Sequence, residues 1–162
     1  LIMADIAPGI NRRFSAEAFP QIPERAWKDA REEARAGVVD TSFEVYASDI
    51  SKAAVELTER NAKKAGVEKY VRASVGDVKD FVLPNDRCIT VTNPPYGERL
   101  LDVKSAEKLY SIMGERFVKQ EGHKFFIISP HDEFEKHFGR TADKRRKLYN
   151  GMIKCQLFMY LK

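Results

Sequence analysis

Apolar residues recur along the chain in two patterns, a helical spacing and short unbroken β-prone runs. Together they predict an alternating order of elements. Glu24 to Ala36 is dense in Ala, Arg and Glu, starts just after Pro20 and Pro23 and meets Gly37, which predicts a helix. Phe43 to Ala47 reads as a strand, and Ser48-Asp49-Ile50-Ser51 as a turn with Ser51 as N-cap. Ala54, Leu57, Asn61 and Ala65 follow at helical spacing up to Gly66, and Tyr70 to Val75 is a second strand closed by Gly76-Asp77. Cys88 to Thr92 is a third strand whose unbroken run predicts burial on both faces. Ala106, Leu109, Tyr110, Met113 and Phe117 mark the stripe of another helix, stopped by Gly122. Lys124 to Ser129 is a fourth strand and His131 to Phe138 a short helix. Asn150-Gly151 between two β-prone runs signals a hairpin.

This order predicts an α/β fold, a mostly parallel sheet with helices on both faces and a C-terminal antiparallel hairpin. Ligands in such sheets bind where loops leave the carboxyl ends of strands. The loops of interest are therefore 48–51, 76–80, 93–100 and 129–132. At the N-terminus, Leu1-Ile2-Met3 reads as the middle of a helix broken at Ala7-Pro8-Gly9. The expectation is a single partial domain over 1–162, a fragment of a longer protein.

The chain is 43% hydrophobic and 32% charged, a balance that excludes a disordered tail. No apolar run approaches the ~20 residues of a membrane span, and no secretory leader pattern is present. Cys88 and Cys155 make no disulfide framework and read as small buried hydrophobes. A cytoplasmic protein is the expectation. Of a net charge of +4, the segment from Arg140 onward carries +6, with seven basic residues against Asp143 alone. Lys144, Arg145, Arg146 and Lys147 lie in it and are candidates for contact with a polyanion, the alternative being a solvated basic strand end.

The most specific chemistry lies in Asn93-Pro94-Pro95-Tyr96, directly after the third strand. Two prolines remove backbone donors and fix φ, so the segment offers carbonyl oxygens in a rigid array. Asn93 adds a side-chain acceptor, and Tyr96 a flat face on which a base can stack. That set suits an exocyclic amine of a flipped base. Asp49, at the end of the first strand, reads either as an acceptor for ribose hydroxyls or as a helix cap. Ile50 beside it either covers an adenine ring or packs. Asp77 reads either as an acceptor for an adenine amino group or as a turn residue bonded to its own backbone. Arg99 either holds a phosphate or solubilises its loop. His123, His131 and His137 show no metal-ligand spacing and read as surface or edge histidines, and no metal is expected.

Asp49-Ile50, Gly76-Asp77 and Asn93-Pro94-Pro95-Tyr96-Gly97-Glu98-Arg99-Leu100 resemble the Rossmann-like, S-adenosylmethionine-dependent amino-methyltransferases. More narrowly they resemble the guanine-N2 methyltransferases of large-subunit ribosomal RNA. The likeness extends through Ala7-Pro8-Gly9-Ile10-Asn11-Arg12, Lys147-Leu148-Tyr149-Asn150-Gly151 and Lys154-Cys155-Gln156-Leu157, and so covers essentially the whole chain. It implies S-adenosylmethionine as cofactor, with Asp49 and Ile50, then Asp77 and Val78, and finally Asn93 around it. It implies that Asn93, Pro94, Pro95 and Tyr96 receive the target amine and base, and that RNA is the partner. It also implies a first strand and Gly-rich loop, and an N-terminal RNA-binding domain of the THUMP type, none of which these residues contain. The Asn-Pro-Pro-Tyr element alone is shared with adenine amino-methyltransferases of DNA and RNA. These, and a non-catalytic RNA-binding module, are the competing readings.

Overall fold

A computed structural model describes residues 1–83, 87–96 and 102–161. The chain divides into two compact units, Leu1–Val75 and Gly76–Lys162.

In the first unit, a 3-10 turn over Ile2–Ala4 stands where a helix is expected, ended by Asp5 at φ 50°. Helix α1 covers Glu24–Ala36 with Gly37 as its C-cap, as its composition predicts. It is held at its base by polar and aromatic contacts rather than by a core, since none of its residues is buried. Phe14 stacks on Trp27 at 5.7 Å, while Glu17 accepts from the Phe14 backbone at 2.9 Å and pairs with Arg31. Strand β1 (Val45–Asp49), helix α2 (Lys52–Lys64) and strand β2 (Val71–Val75) form a β-α-β unit with parallel strands. Ser51 caps α2 as expected, its Oγ accepting from Ala54 N at 3.4 Å. Val55 and Ala62 are the buried positions of α2, and Phe43 stacks on Tyr70 at 4.4 Å.

The second unit carries a four-stranded sheet in the order β3-β4-β6-β5. Its strands are β3 (Ile89–Thr92), β4 (Lys124–Ser129), β5 (Lys144–Asn150) and β6 (Ile153–Tyr160). β3 and β4 run parallel, whereas β6 is antiparallel to both β4 and β5. Helices α3 (Val103–Arg116) and α4 (Phe134–Phe138) complete it. The predicted stripe of α3 is the buried one: Ala106, Tyr110 and Met113, continued by Phe117, join Phe125 and Ile127 of β4 and Phe158 and Tyr160 of β6. Phe134 and Phe138 of α4 close this core through ring contacts, Phe134 lying 4.9 Å from Tyr110 and 4.5 Å from Phe158. Burying each such ring contributes roughly 1.5–3 kcal/mol. Helices α3 and α4 meet at Gly114, where a Cβ would sit 2.0 Å from the Phe138 carbonyl oxygen. Only a residue without a side chain allows that approach.

Four expectations are corrected. β3 is not buried on both faces, since Ile89 and Val91 are 66% and 69% exposed. Thr90 and Thr92 on its other face are half-buried, so the apolar run records strand propensity rather than burial on both faces. The hairpin turn is one residue later than predicted, because Asn150 still pairs with Ile153 and the loop is Gly151-Met152, with Gly151 at φ 61°. Of the cysteines, Cys155 is buried but Cys88 only half-buried. His123 is buried, and His131 and His137 are mostly covered rather than on the surface.

Candidate active site

Asp49 is the last residue of β1, and its Oδ1 accepts from the Ser51 backbone at 2.8 Å. Both sequence readings of this residue therefore concern one side chain: one oxygen shapes the turn into α2, and the exposed carboxylate retains its other oxygen as an acceptor. Ile50 follows at 73% exposure, an apolar side chain open to solvent in its unit.

In the second unit, Asp77 is the N-cap of a 3-10 turn over Val78–Asp80. Its Oδ1 accepts from Lys79 N at 3.0 Å, and its Oδ2 lies 3.5 Å from Lys79 Nζ. The backbone hydrogen bond from Lys79 holds the Asp77 carboxyl below the usual carboxylate range, so it is an acceptor at neutral pH. Val78 packs against the core of this unit and fixes the turn.

Asn93-Pro94-Pro95-Tyr96 leaves the carboxyl end of β3. Pro94 is buried, Pro95 and Tyr96 are half-buried, and Asn93 is exposed. The buried proline anchors the segment while the amide of Asn93 faces solvent. Tyr96 is tied down by Asn150, whose side-chain Nδ2 donates to its hydroxyl at 2.8 Å. The sequence marks Asn150 only as half of a turn pair, and its link to Tyr96 is visible in three dimensions alone. Behind this segment, Ser129 Oγ donates to the buried Tyr110 hydroxyl at 3.3 Å and accepts from His131 N at 3.1 Å. Burial pushes the Tyr110 phenol up, with the Tyr96 hydroxyl acting in the same direction, so it stays neutral.

The four basic residues of β5 separate by the strand's two-residue alternation. Arg145 is engaged: its Nε donates to Glu135 Oε1 at 2.9 Å, its second nitrogen pairs with Glu135 Oε2, and its guanidinium lies 5.9 Å from the Phe158 ring. Lys147 lies over the Tyr149 ring at 5.2 Å. Lys144 and Arg146 are exposed on the other face, with no ion-pair partner among the described residues. Arg99, Gly97, Glu98 and Leu100 lie outside the described residues. A hollow lined by Lys119, Gly122, His123 and Leu161 opens at the amino end of β4. Because β3 and β4 are parallel, that is the end opposite Asn93.

The second unit offers a rigid pair of acceptors beside a held aromatic ring at the end of β3 and an ionised carboxylate at Asp77, and the first unit offers the Asp49 carboxylate at the end of β1. Among the described residues no helix is long and apolar enough to cross a membrane. Residues 1–158 match the family model described as "RMKL-like, methyltransferase domain". The chain is 36% identical over 161 residues to "Putative RNA methyltransferase YpsC" of Bacillus subtilis, covering 99% of this chain and 42% of that protein. It is 36% identical over 166 residues to "Ribosomal RNA large subunit methyltransferase K/L" of Shewanella baltica, covering 99% of this chain and 23% of that protein. Among solved structures it resembles SMU.472, "a putative methyltransferase complexed with SAH", with a TM-score of 0.92 and 38% identity over 98% of this chain and 42% of that one. The chain thus spans less than half the length of these relatives. It belongs to the RMKL-like methyltransferase-domain family, with the Rossmann-like α/β fold of the S-adenosylmethionine-dependent methyltransferases.

Proposed function

We propose that this chain is the C-terminal part of the catalytic domain of an RNA methyltransferase. Its target is an exocyclic base amine, N2 of a guanine in large-subunit ribosomal RNA, and an upstream RNA-binding domain of the same polypeptide delivers the substrate. The reading rests above all on the Asn93-Pro94-Pro95-Tyr96 segment, with its buried proline, solvent-facing amide and hydrogen-bonded tyrosine at a strand's carboxyl end.

When bound, S-adenosylmethionine supplies an electrophilic methyl group on a sulfonium. The residues fit such a cofactor: Asp49 keeps a free carboxylate oxygen for ribose hydroxyls, and Asp77 is an ionised acceptor for an adenine amino group. Ile50 and Val78 would supply apolar cover beside them. The Asn93 side-chain oxygen and the Pro94 carbonyl would accept the two hydrogens of the target amine and so orient its lone pair. Pro95 stiffens the segment, and the Tyr96 ring would stack on the base. No strong base is needed, because the amine proton is lost to water once the nitrogen has become cationic. Extruding the base costs a few kcal/mol unless it is already unpaired. Lys144, Arg146 and Lys147, together with Arg99 just after the Asn93-Pro94-Pro95-Tyr96 segment, would contact RNA phosphates, whereas Arg145 pairs first with Glu135.

The test is transfer of labelled methyl to large-subunit ribosomal RNA by the full-length polypeptide, followed by nucleoside analysis. N2-methylguanosine is expected. Asn93→Ala should lower the rate by about 100-fold or more, the scale of losing one well-placed polar group at a reacting centre. N6-methyladenosine would instead establish the adenine reading. RNA binding that ignores Asn93→Ala, with no methyl transfer at all, would leave a binding module.

A further inference from the structure

We propose that Glu107, His131 and His137 form a binding site for a divalent transition-metal ion of the zinc class. The three residues come from different elements: α3, the turn after β4, and α4. One ligand atom from each lies within 4.8 Å of the others. Their side chains are only 29%, 19% and 20% exposed, so the cluster is not a chance meeting of solvated groups.

The approach geometry is that of co-ligands rather than of hydrogen bonds. His137 Nε2 lies 3.2 Å from Glu107 Oε1, yet this buried nitrogen has no hydrogen-bond partner among the described residues. His131 Nε2 lies 3.6 Å from the same oxygen, beyond hydrogen-bond range. Zinc binds imidazole nitrogen and carboxylate oxygen at about 2.0–2.2 Å, so neighbouring ligands of a tetrahedral ion stand roughly 3.3–3.5 Å apart. The two measured separations bracket that value. Two imidazoles and one carboxylate are a donor set suited to zinc and its neighbours rather than to magnesium or calcium. A water would complete the coordination.

The frame around the cluster is already rigid. Gly114 allows α3 to touch the Phe138 carbonyl, and Ser111 Oγ on α3 donates to the His137 carbonyl at 3.1 Å. The His131 ring packs edge-on against Tyr110 at 5.7 Å. One local bond must change. His131 Nδ1 accepts from Glu133 N at 3.2 Å, so without metal the ring proton sits on Nε2. Loading would move that proton to Nδ1 and break this long, exposed bond. An ion here would pin three elements at the end of the sheet from which Asn93 projects.

The site carries no step of the proposed methyl transfer, so its test is independent of it. The purified chain, stripped with a chelator, is titrated with zinc or cobalt. One ion per chain is expected by equilibrium dialysis, with the visible d–d bands of a low-coordinate cobalt ion and a raised melting midpoint. Nitrogen NMR should show the His131 proton passing to Nδ1. His137→Asn, His131→Gln and Glu107→Gln should each weaken binding by an order of magnitude or more, while circular dichroism confirms that each variant is folded. No saturable binding overturns the proposal. So does binding that persists unchanged in the His131→Gln/His137→Asn double variant, or uptake without one-to-one stoichiometry. If a single variant unfolds, the wild-type stoichiometry and the NMR tautomer shift decide alone.

Discussion

Asn150 and Tyr96, 54 positions apart, are joined by a 2.8 Å hydrogen bond from the side-chain amide of one to the hydroxyl of the other. The bond ties the tip of the β5–β6 hairpin to the segment that carries Asn93. A phenol held at its hydroxyl keeps its ring in position at the end of β3, which a stacking surface requires.

Removing this bond should affect substrate handling more than stability, because the bond itself is exposed. Asn150→Ala and Tyr96→Phe should each lower kcat/KM of the full-length enzyme by roughly fivefold, corresponding to about 1 kcal/mol. The double variant should be no worse than either single one. Fully additive losses would show that the two residues act separately.

Gly114→Ala tests the contact between α3 and α4. Helix propensity alone favours alanine by about 1 kcal/mol. The added Cβ would meet a backbone oxygen at 2.0 Å, a contact no flexible side chain can relieve. Steric cost should win, with a net destabilisation of about 3 kcal/mol or more in denaturant titrations. A neutral or stabilised variant would mean that the helices are not so close.

The basic residues of β5 should divide into two kinds. Lys144→Ala and Arg146→Ala should each reduce the slope of log K against log salt for RNA binding by about 0.7 and leave folding unchanged. Arg145→Ala should instead destabilise the chain by about 1 kcal/mol, because it strands Glu135, which also accepts from Ala142 N at 2.9 Å. Equal salt slopes lost at all three positions would contradict this division.

Glu17 should contribute a pH dependence to the first unit. Its carboxyl is held below the usual value of 4.5 by the hydrogen bond from the Phe14 backbone, reinforced by Arg31. A depressed folded value means that the unfolded chain binds this proton more readily. The stabilisation is therefore complete above the unfolded value near 4.5 and is lost as pH falls through the folded one. Glu17→Gln should flatten that acid limb in melting curves taken across the range. An unchanged acid limb would assign it to other carboxylates.

Much of the fold was legible because it rests on local signals. The α3 stripe, the Ser51 cap and the Gly37 stop each follow from side-chain spacing or from the needs of a helix end. Strand identity was equally legible, but burial was not. Ile89 and Val91 have the residue types of a strand buried on both faces yet are exposed, since propensity is local and burial depends on what packs over each face. The hairpin turn slipped by one residue for a related reason: register is decided by cross-strand pairing, not by the turn pair alone.

The Asn-Pro-Pro-Tyr segment needed only its own residues to announce rigid acceptors beside an aromatic face, because proline's restraint on the backbone is a covalent property. What surrounds it was settled by folding. Asn150 reaches Tyr96 across a hairpin, Glu135 captures Arg145 out of four similar basic residues, and Glu107 draws His131 and His137 into one cluster although no spacing rule links them. Covalent geometry and periodicity are written along the chain, while partnerships between distant side chains arise only when packing brings their elements together.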